Sequence, residues 1–125
     1  MAKIRHIAYR AENPEAMAQF FISAFEMTVA QRRERGAIDL TDGTLNITVL
    51  PLGQPNAPHA RGIEHIGFSA EDNDEAMRKV IAAGGKEKNT IQLGAAFYES
   101  KFEGPEGIVV DVGHWAGAAP VAEKQ

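Results

Sequence analysis

The chain has 125 residues, of which 44% are hydrophobic and 24% charged, with a net charge of −4 and no cysteine. That apolar content is enough to offset the entropy of ordering, which excludes a disordered chain, and no run approaches the ~20 apolar residues of a membrane span. The mildly acidic balance excludes a phosphate-binding surface of the nucleic-acid type, which needs concentrated Lys and Arg, and the missing cysteines exclude disulfides, a thiol nucleophile and thiolate metal ligands. The N-terminus runs directly into a strand pattern without an apolar signal core, so a cytoplasmic protein is expected.

Residues 3–10 read as a strand, and strict alternation places Ile4, His6 and Ala8 on one face and Arg5, Ile7 and Tyr9 on the other. Asn13 suits an N-cap and Pro14 the first helical position, where its missing N–H costs nothing. The following helix carries Met17, Phe20, Phe21, Ala24 and Phe25 as its apolar stripe. Three strands are predicted next, at 28–35, 37–41 and 44–50, with Asp42-Gly43 as a hairpin turn. Prolines and glycines between Pro51 and Gly62 mark a linker. A strand over 62–69 and a helix over 74–83 follow, the helix closed by Gly84-Gly85, and then strands at 87–92, 96–102 and 107–114. The Ala-rich tail is expected to fray.

This order contains a repeat. Ile4-Arg5-His6-Ile7-Ala8-Tyr9-Arg10-Ala11-Glu12 recurs 59 residues later as Ile63-Glu64-His65-Ile66-Gly67-Phe68-Ser69-Ala70-Glu71, and Glu15-Ala16-Met17 recurs as Glu75-Ala76-Met77. The chain therefore divides into a module at 1–51, a linker at 52–61, a second module at 62–115 and a tail at 116–125. Each module reads as βαβββ, and ~60 residues are too few to bury a good core alone. The predicted architecture is a single α+β domain in which two βαβββ modules form a curved mixed sheet around a cleft, with the helices outside.

Two of the four histidines, His6 and His65, hold equivalent positions in the repeat, each followed on its face by a small residue, Ala8 or Gly67. A small neighbour leaves room in front of an imidazole. Asp111 sits inside the apolar run Ile108-Val109-Val110-Asp111-Val112, and a carboxylate buried there needs a partner or a metal. Two neutral imidazoles and one carboxylate with open positions make a site for Fe, Mn or Zn in their divalent states, with Ni and Co further options.

With these residues in view, the chain resembles the vicinal oxygen chelate superfamily, which includes glyoxalase I, bleomycin-resistance proteins, extradiol dioxygenases, fosfomycin-resistance proteins and methylmalonyl-CoA epimerase. The resemblance rests on paired modules that open with x-His-Ile-small-aromatic. It rests also on Gly104-Pro105-Glu106-Gly107-Ile108-Val109-Val110-Asp111, similar to the superfamily's Asp-Pro-Asp-Gly-x-x-x-Glu, and it extends from Ile4 to Trp115. It implies that His6, His65 and Asp111 are metal ligands, with Asp111 one methylene shorter than the usual Glu. Internal symmetry puts the fourth ligand position at Ile47, which cannot ligate; only a one-residue slip would offer Asn46 or Thr48. Three ligands resemble the dioxygenase arrangement, yet Lys101 stands where that group has a Tyr, and no His lies between His65 and His114.

The expected function is that of a small metal-dependent enzyme, a lyase/isomerase or a ring-cleaving dioxygenase, which takes a small-molecule substrate through adjacent oxygens with Glu99 as the general base. The alternative is a metal-free, ligand-sequestering protein of the bleomycin-resistance type. A homodimer is expected, because the sheets expose edges and apolar surface. Gln31-Arg32-Arg33-Glu34-Arg35 reads as a charged edge strand rather than a substrate clamp. Tyr98 and Lys101 are secondary acid–base candidates. His59 is expected in the linker, His114 away from the site, and Trp115 on the face of Asp111.

Overall fold

The computed structural model describes residues 2–54, 57–58, 60–92 and 98–113. Its elements are β1 (Lys3–Arg10), α1 (Pro14–Phe25), β2 (Thr28–Arg32), β3 (Ile38–Thr41), β4 (Asn46–Leu50), β5 (Gly53–Gln54), β6 (Ala57–Pro58), β7 (Gly62–Ser69), α2 (Asn73–Ala82), β8 (Lys86–Gln92), β9 (Tyr98–Glu103) and β10 (Val109–Gly113). The short β5–β6 hairpin occupies the linker.

Eight strands form one sheet in the order β2-β3-β4-β1-β7-β10-β9-β8, which reads the same from both ends once each strand is matched to its repeat mate. The first strands of the two modules, β1 and β7, pair antiparallel at the centre, and each pairs parallel with the last strand of its own module. The two halves thus close on each other within one chain.

The local signals act as their chemistry requires. Asn13 caps α1, its side chain accepting from the Ala16 N–H at 3.0 Å, with Pro14 opening the helix. Asp72 caps α2 in the same way, accepting from the Glu75 N–H. Gly84 adopts φ +104° at the end of α2, and the Gly85 N–H returns to the Val80 carbonyl at 2.9 Å. In the β3–β4 hairpin the Asp42 carboxylate accepts from the N–H groups of Leu45 and Thr44 and from the Thr44 hydroxyl; together these hold its pKa down at about 2.

The sheet's two faces differ. On the helix-covered face, Ile38, Leu40 and Val49 pack with Ala18 and Met27 under α1. The stripe of α1 differs from the predicted one: Ala18 is its buried centre, flanked by Met17, Phe21 and Ile22, while Phe20 and Phe25 are 57% and 63% exposed. The small Ala18 lets the helix approach the sheet closely, and that rotates the bulkier aromatics outward. The opposite face is polar. Across it one cross-strand row runs Asn46, His6, Gly67, Asp111, Lys101, and a neighbouring row runs Asp39, Thr48, Ala8, His65.

Candidate metal centre

The sheet register brings His6, His65 and Asp111 together. The three are buried, and one ligand atom from each lies within 4.8 Å of the others. Asp111 Oδ2 stands 3.3 Å from His6 Nε2 and 3.2 Å from His65 Nε2, and the ring centroids are 5.0 Å apart. Donors about 2.1 Å from one ion are separated by about 3.0 Å at octahedral and about 3.4 Å at tetrahedral angles, so these spacings suit the edges of a coordination shell. Gly67 lies between His6 and Asp111 in the cross-strand row. A Cβ there would overlap the His6 ring and come within 2.6 Å of Asp111 Oδ1. The expected clearance before the imidazole is real.

Each of the three residues is held from behind. His65 Nδ1 faces Glu64 Oε1 at 2.8 Å, and Glu64 is itself held by Arg10 through Nε at 2.9 Å and Nη2 at 2.6 Å. A ring that donates its Nδ1–H to a carboxylate keeps the lone pair on Nε2. Beyond its 3.2 Å approach to Asp111 Oδ2, His65 Nε2 is buried without a hydrogen-bond partner among the described residues. For His6, Nδ1 faces Thr48 Oγ1 at 3.3 Å, while the Thr48 hydroxyl donates to Asp39 Oδ1 at 2.8 Å. With its proton committed to Asp39, the hydroxyl can only accept from His6, so this ring too turns the lone pair of Nε2 toward Asp111. Asp39 is fixed in turn by Gln31 and Arg33. Arg5 donates to Asp111 Oδ1, leaving Oδ2 for the histidines, and to Glu99 Oε2 at 2.7 Å.

Ionisation follows from these contacts. Burial pulls His6 below its ordinary 6.5 against the Asp111 contact, which favours the neutral, ligating form. Burial alone would raise Asp111; contact with the His6 ring in its protonated form and the charge of Arg5 outweigh it and hold the carboxyl at about 2. Glu64 is also held at about 2, because the contacts from His65 and Arg10 overcome its burial.

Arg5 departs from the predicted alternation, which sent it to the face opposite His6. A β-bulge between Ile4 and His6 breaks the register, and Arg5 is fully buried with its guanidinium on Asp111. The same device recurs in β7, where the register shift between Ala8 and Tyr9 leaves Glu64 as the extra residue before His65. Each bulge brings the residue before a histidine into the support of the site. The available signal was that both of these positions carry ionic residues.

The fourth ligand position also moves. Asp111 pairs with Gly67, and the repeat mate of Gly67 is Ala8, which pairs with Thr48. The symmetric position is therefore Thr48, not Ile47, and its hydroxyl stands behind His6. Glu99 and Lys101 both border Asp111: Lys101 Nζ lies 3.8 Å from Glu99 Oε1 and 3.9 Å from Asp111 Oδ2. Arg33 serves Asp39, and Arg32 reaches Glu15 from the sheet-edge strand β2. His59, His114, Trp115 and the side chain of Tyr98 fall outside the described residues.

A search of curated protein sequences finds no match. Among solved structures, a hypothetical protein from Bacillus halodurans C-125 superposes with a TM-score of 0.75 at 15% identity, covering 95% of this chain and 98% of that one. The 2,3-dioxygenase LapB from Pseudomonas sp. KL28 gives 0.72 at 17% identity, with 93% and 41% covered. The Mn(II)-bound glyoxalase from Novosphingobium aromaticivorans gives 0.67 at 19% identity, with 90% and 37% covered. These likenesses describe the fold. A family profile described as Glyoxalase/Bleomycin resistance protein/Dioxygenase superfamily matches residues 3–112, almost the whole span of the mirrored sheet. The chain belongs to that superfamily.

Proposed function

We propose that the chain is a metal-dependent enzyme of lyase or isomerase type that binds a small substrate through two adjacent oxygens at His6, His65 and Asp111. The observation that carries this reading is the set of supports behind the site: Glu64, the Thr48–Asp39 pair and Arg5 each fix the far side of one candidate ligand. Such outer contacts are what metal-ligating side chains require for orientation and tautomer. A binding cleft without metal has no use for two imidazole lone pairs converging on a buried carboxylate oxygen, which disfavours the sequestering alternative. A divalent ion (Fe, Mn, Zn, Ni or Co) held there supplies a Lewis acid for negative charge developing on a substrate oxygen.

The protein supplies the proton handling. Arg5 pins Glu99 through Oε2, leaving Oε1 beside Lys101. Glu99 accepts the substrate proton at Oε1 as the general base, and the Lys101 ammonium steadies the pair. Lys101 stands where a ring-cleaving dioxygenase would place a Tyr, and no His lies between His65 and His114, which favours proton transfer. A homodimer is part of the same reading, supported by the exposed aromatics of α1.

The test is elemental analysis of protein purified without chelator, alongside the triple variant His6→Ala, His65→Ala, Asp111→Ala. We expect about one divalent ion per wild-type chain and none in the variant, since loss of all three ligands leaves no site. A wild type that takes up none of the five ions would instead support the metal-free alternative. A screen of dicarbonyl–thiol adducts, acyl-CoA esters and catechols then separates the reactions, with oxygen uptake on a catechol moving the assignment to a dioxygenase.

A further inference from the structure

Resting on the metal reading above, we infer that the substrate is a chelating anion, a 2-hydroxy or 2-oxo carboxylate, and that Lys101 selects it. The charges around the site pair off. Each carboxylate there already has a basic partner: Asp111 has Arg5, Glu99 has Lys101 at 3.8 Å, Glu64 has Arg10 at 2.6 Å, and Asp39 has Arg33 at 2.9 Å. Both histidines turn Nε2 to the centre, and as metal ligands they bring no charge. The described residues therefore present a charge-balanced pocket, and a divalent ion entering it brings two positive charges that no carboxylate among them is left to cancel. Asp111, the carboxylate in the ligand set, is fully buried, and its charge is already offset by an equally buried guanidinium.

Unbalanced charge in a buried site is costly, and the cost is relieved by whatever completes the coordination shell. Water or a neutral dicarbonyl brings no charge. A carboxylate with an oxygen on the neighbouring carbon provides the adjacent pair and one negative charge on binding. Its second oxygen takes up further negative charge as the substrate gives its proton to Glu99. Lys101, a direct cross-strand neighbour of Asp111 with its side chain 16% exposed, stands 3.9 Å from Asp111 Oδ2 and is placed to meet the anion.

The test uses Zn(II) as the metal and oxalate, which has the adjacent oxygens and two negative charges, with 2,3-butanedione as its neutral counterpart. Calorimetric titrations are made on wild type, Lys101→Gln and Lys101→Arg. Removing one positive charge a few ångströms from the bound anion should weaken oxalate by about tenfold or more and tighten Zn(II) itself, leaving the diketone unchanged. Lys101→Arg, which keeps the charge, should hold oxalate within about threefold of wild type. Simple chelation of the metal by oxalate would leave its affinity the same in all three proteins, and that result overturns the inference while the metal site stands. A Lys101→Arg protein as weak as Lys101→Gln also overturns it, because charge is then not the cause. Wild type binding none of the five divalent ions, Zn(II) included, overturns the metal reading itself.

Discussion

Gly67 shows how little tolerance the site has. It stands between His6 and Asp111 in the cross-strand row, and its missing side chain is what lets the imidazole and the carboxylate approach. Gly113 does the same for Arg5, since a Cβ there would lie 2.8 Å from Nη2. Gly67→Ala should cost about 1–3 kcal/mol of stability by overpacking, and about tenfold or more in Zn(II) affinity by tilting His6. Urea denaturation and metal titration measure the two, and an alanine variant indistinguishable from wild type in both would mean that the packing is looser than described. The titrating side chains make a second prediction, for the metal-free protein. Glu64 and Asp111 have folded pKa values of about 2 against ordinary values of 4.5 and 3.8. On acidification the unfolded chain therefore takes up protons first, so the stability these carboxylates confer is present above about 4.5 and drains away toward 2. His6, lowered from 6.5 by burial, acts in the same direction at higher pH: the unfolded ring charges below 6.5 while the buried one resists. The urea midpoint should fall from pH 7 to pH 5 and further by pH 3; a flat profile across that range would contradict the assigned contacts.

At the level of elements, the two halves repeat in topology but not in packing. Among the described residues, a cluster of buried apolar side chains lies under α1, where Leu40 and Val49 are fully buried, while Phe102 and Val112 are buried in the second half. Under α2, a cavity of about 480 Å³ lies between the helix and the sheet, bordered by Ala76, Val80, Val110 and Val112. The side chains differ: α2 and its C-cap meet the cavity with Ala76, Val80 and Ala83, whereas α1 packs Met17, Phe21 and Ile22 against its core. Leu40→Ala should therefore cost about 2–5 kcal/mol, in the range of full truncation in a packed core. Ile81→Ala, at a position 54% exposed, should cost far less. Chemical denaturation of the two variants checks the contrast, and equal losses would show that the second half is as well packed as the first. The same scale explains what periodicity could and could not predict. Helix and strand positions followed from caps, turns and apolar phase, and the ends differed by a few residues. The face of Arg5 did not follow, because a bulge adds one residue and reverses the alternation beyond it. Nor did the role of Thr48, because the register of the parallel β1–β4 pair is set between strands and leaves no mark within either.

For the molecule as a whole, the exposed surface carries its own expectation. Phe20 and Phe25 stand out from α1 with ring centroids 6.0 Å apart, and Phe21 joins them at 5.4 and 6.2 Å. Such aromatic surface is the kind that association covers. We expect sedimentation to show a dimer for the wild type and a monomer for the double variant Phe20→Ser, Phe25→Ser; a dimer that survives the change would place the contact elsewhere. No helix among the described residues is long and apolar enough to cross a membrane. The sequence by itself determined the duplication, the βαβββ order and the three residues His6, His65 and Asp111, because these depend on residue type, spacing and local phase. Only the tertiary structure decided that β1 and β7 pair within one chain, that Arg5 and Glu64 turn inward, and that every carboxylate of the site is matched by a base. Those outcomes depend on strand register and on contacts between residues as many as 106 positions apart, where no local pattern in the chain can reach.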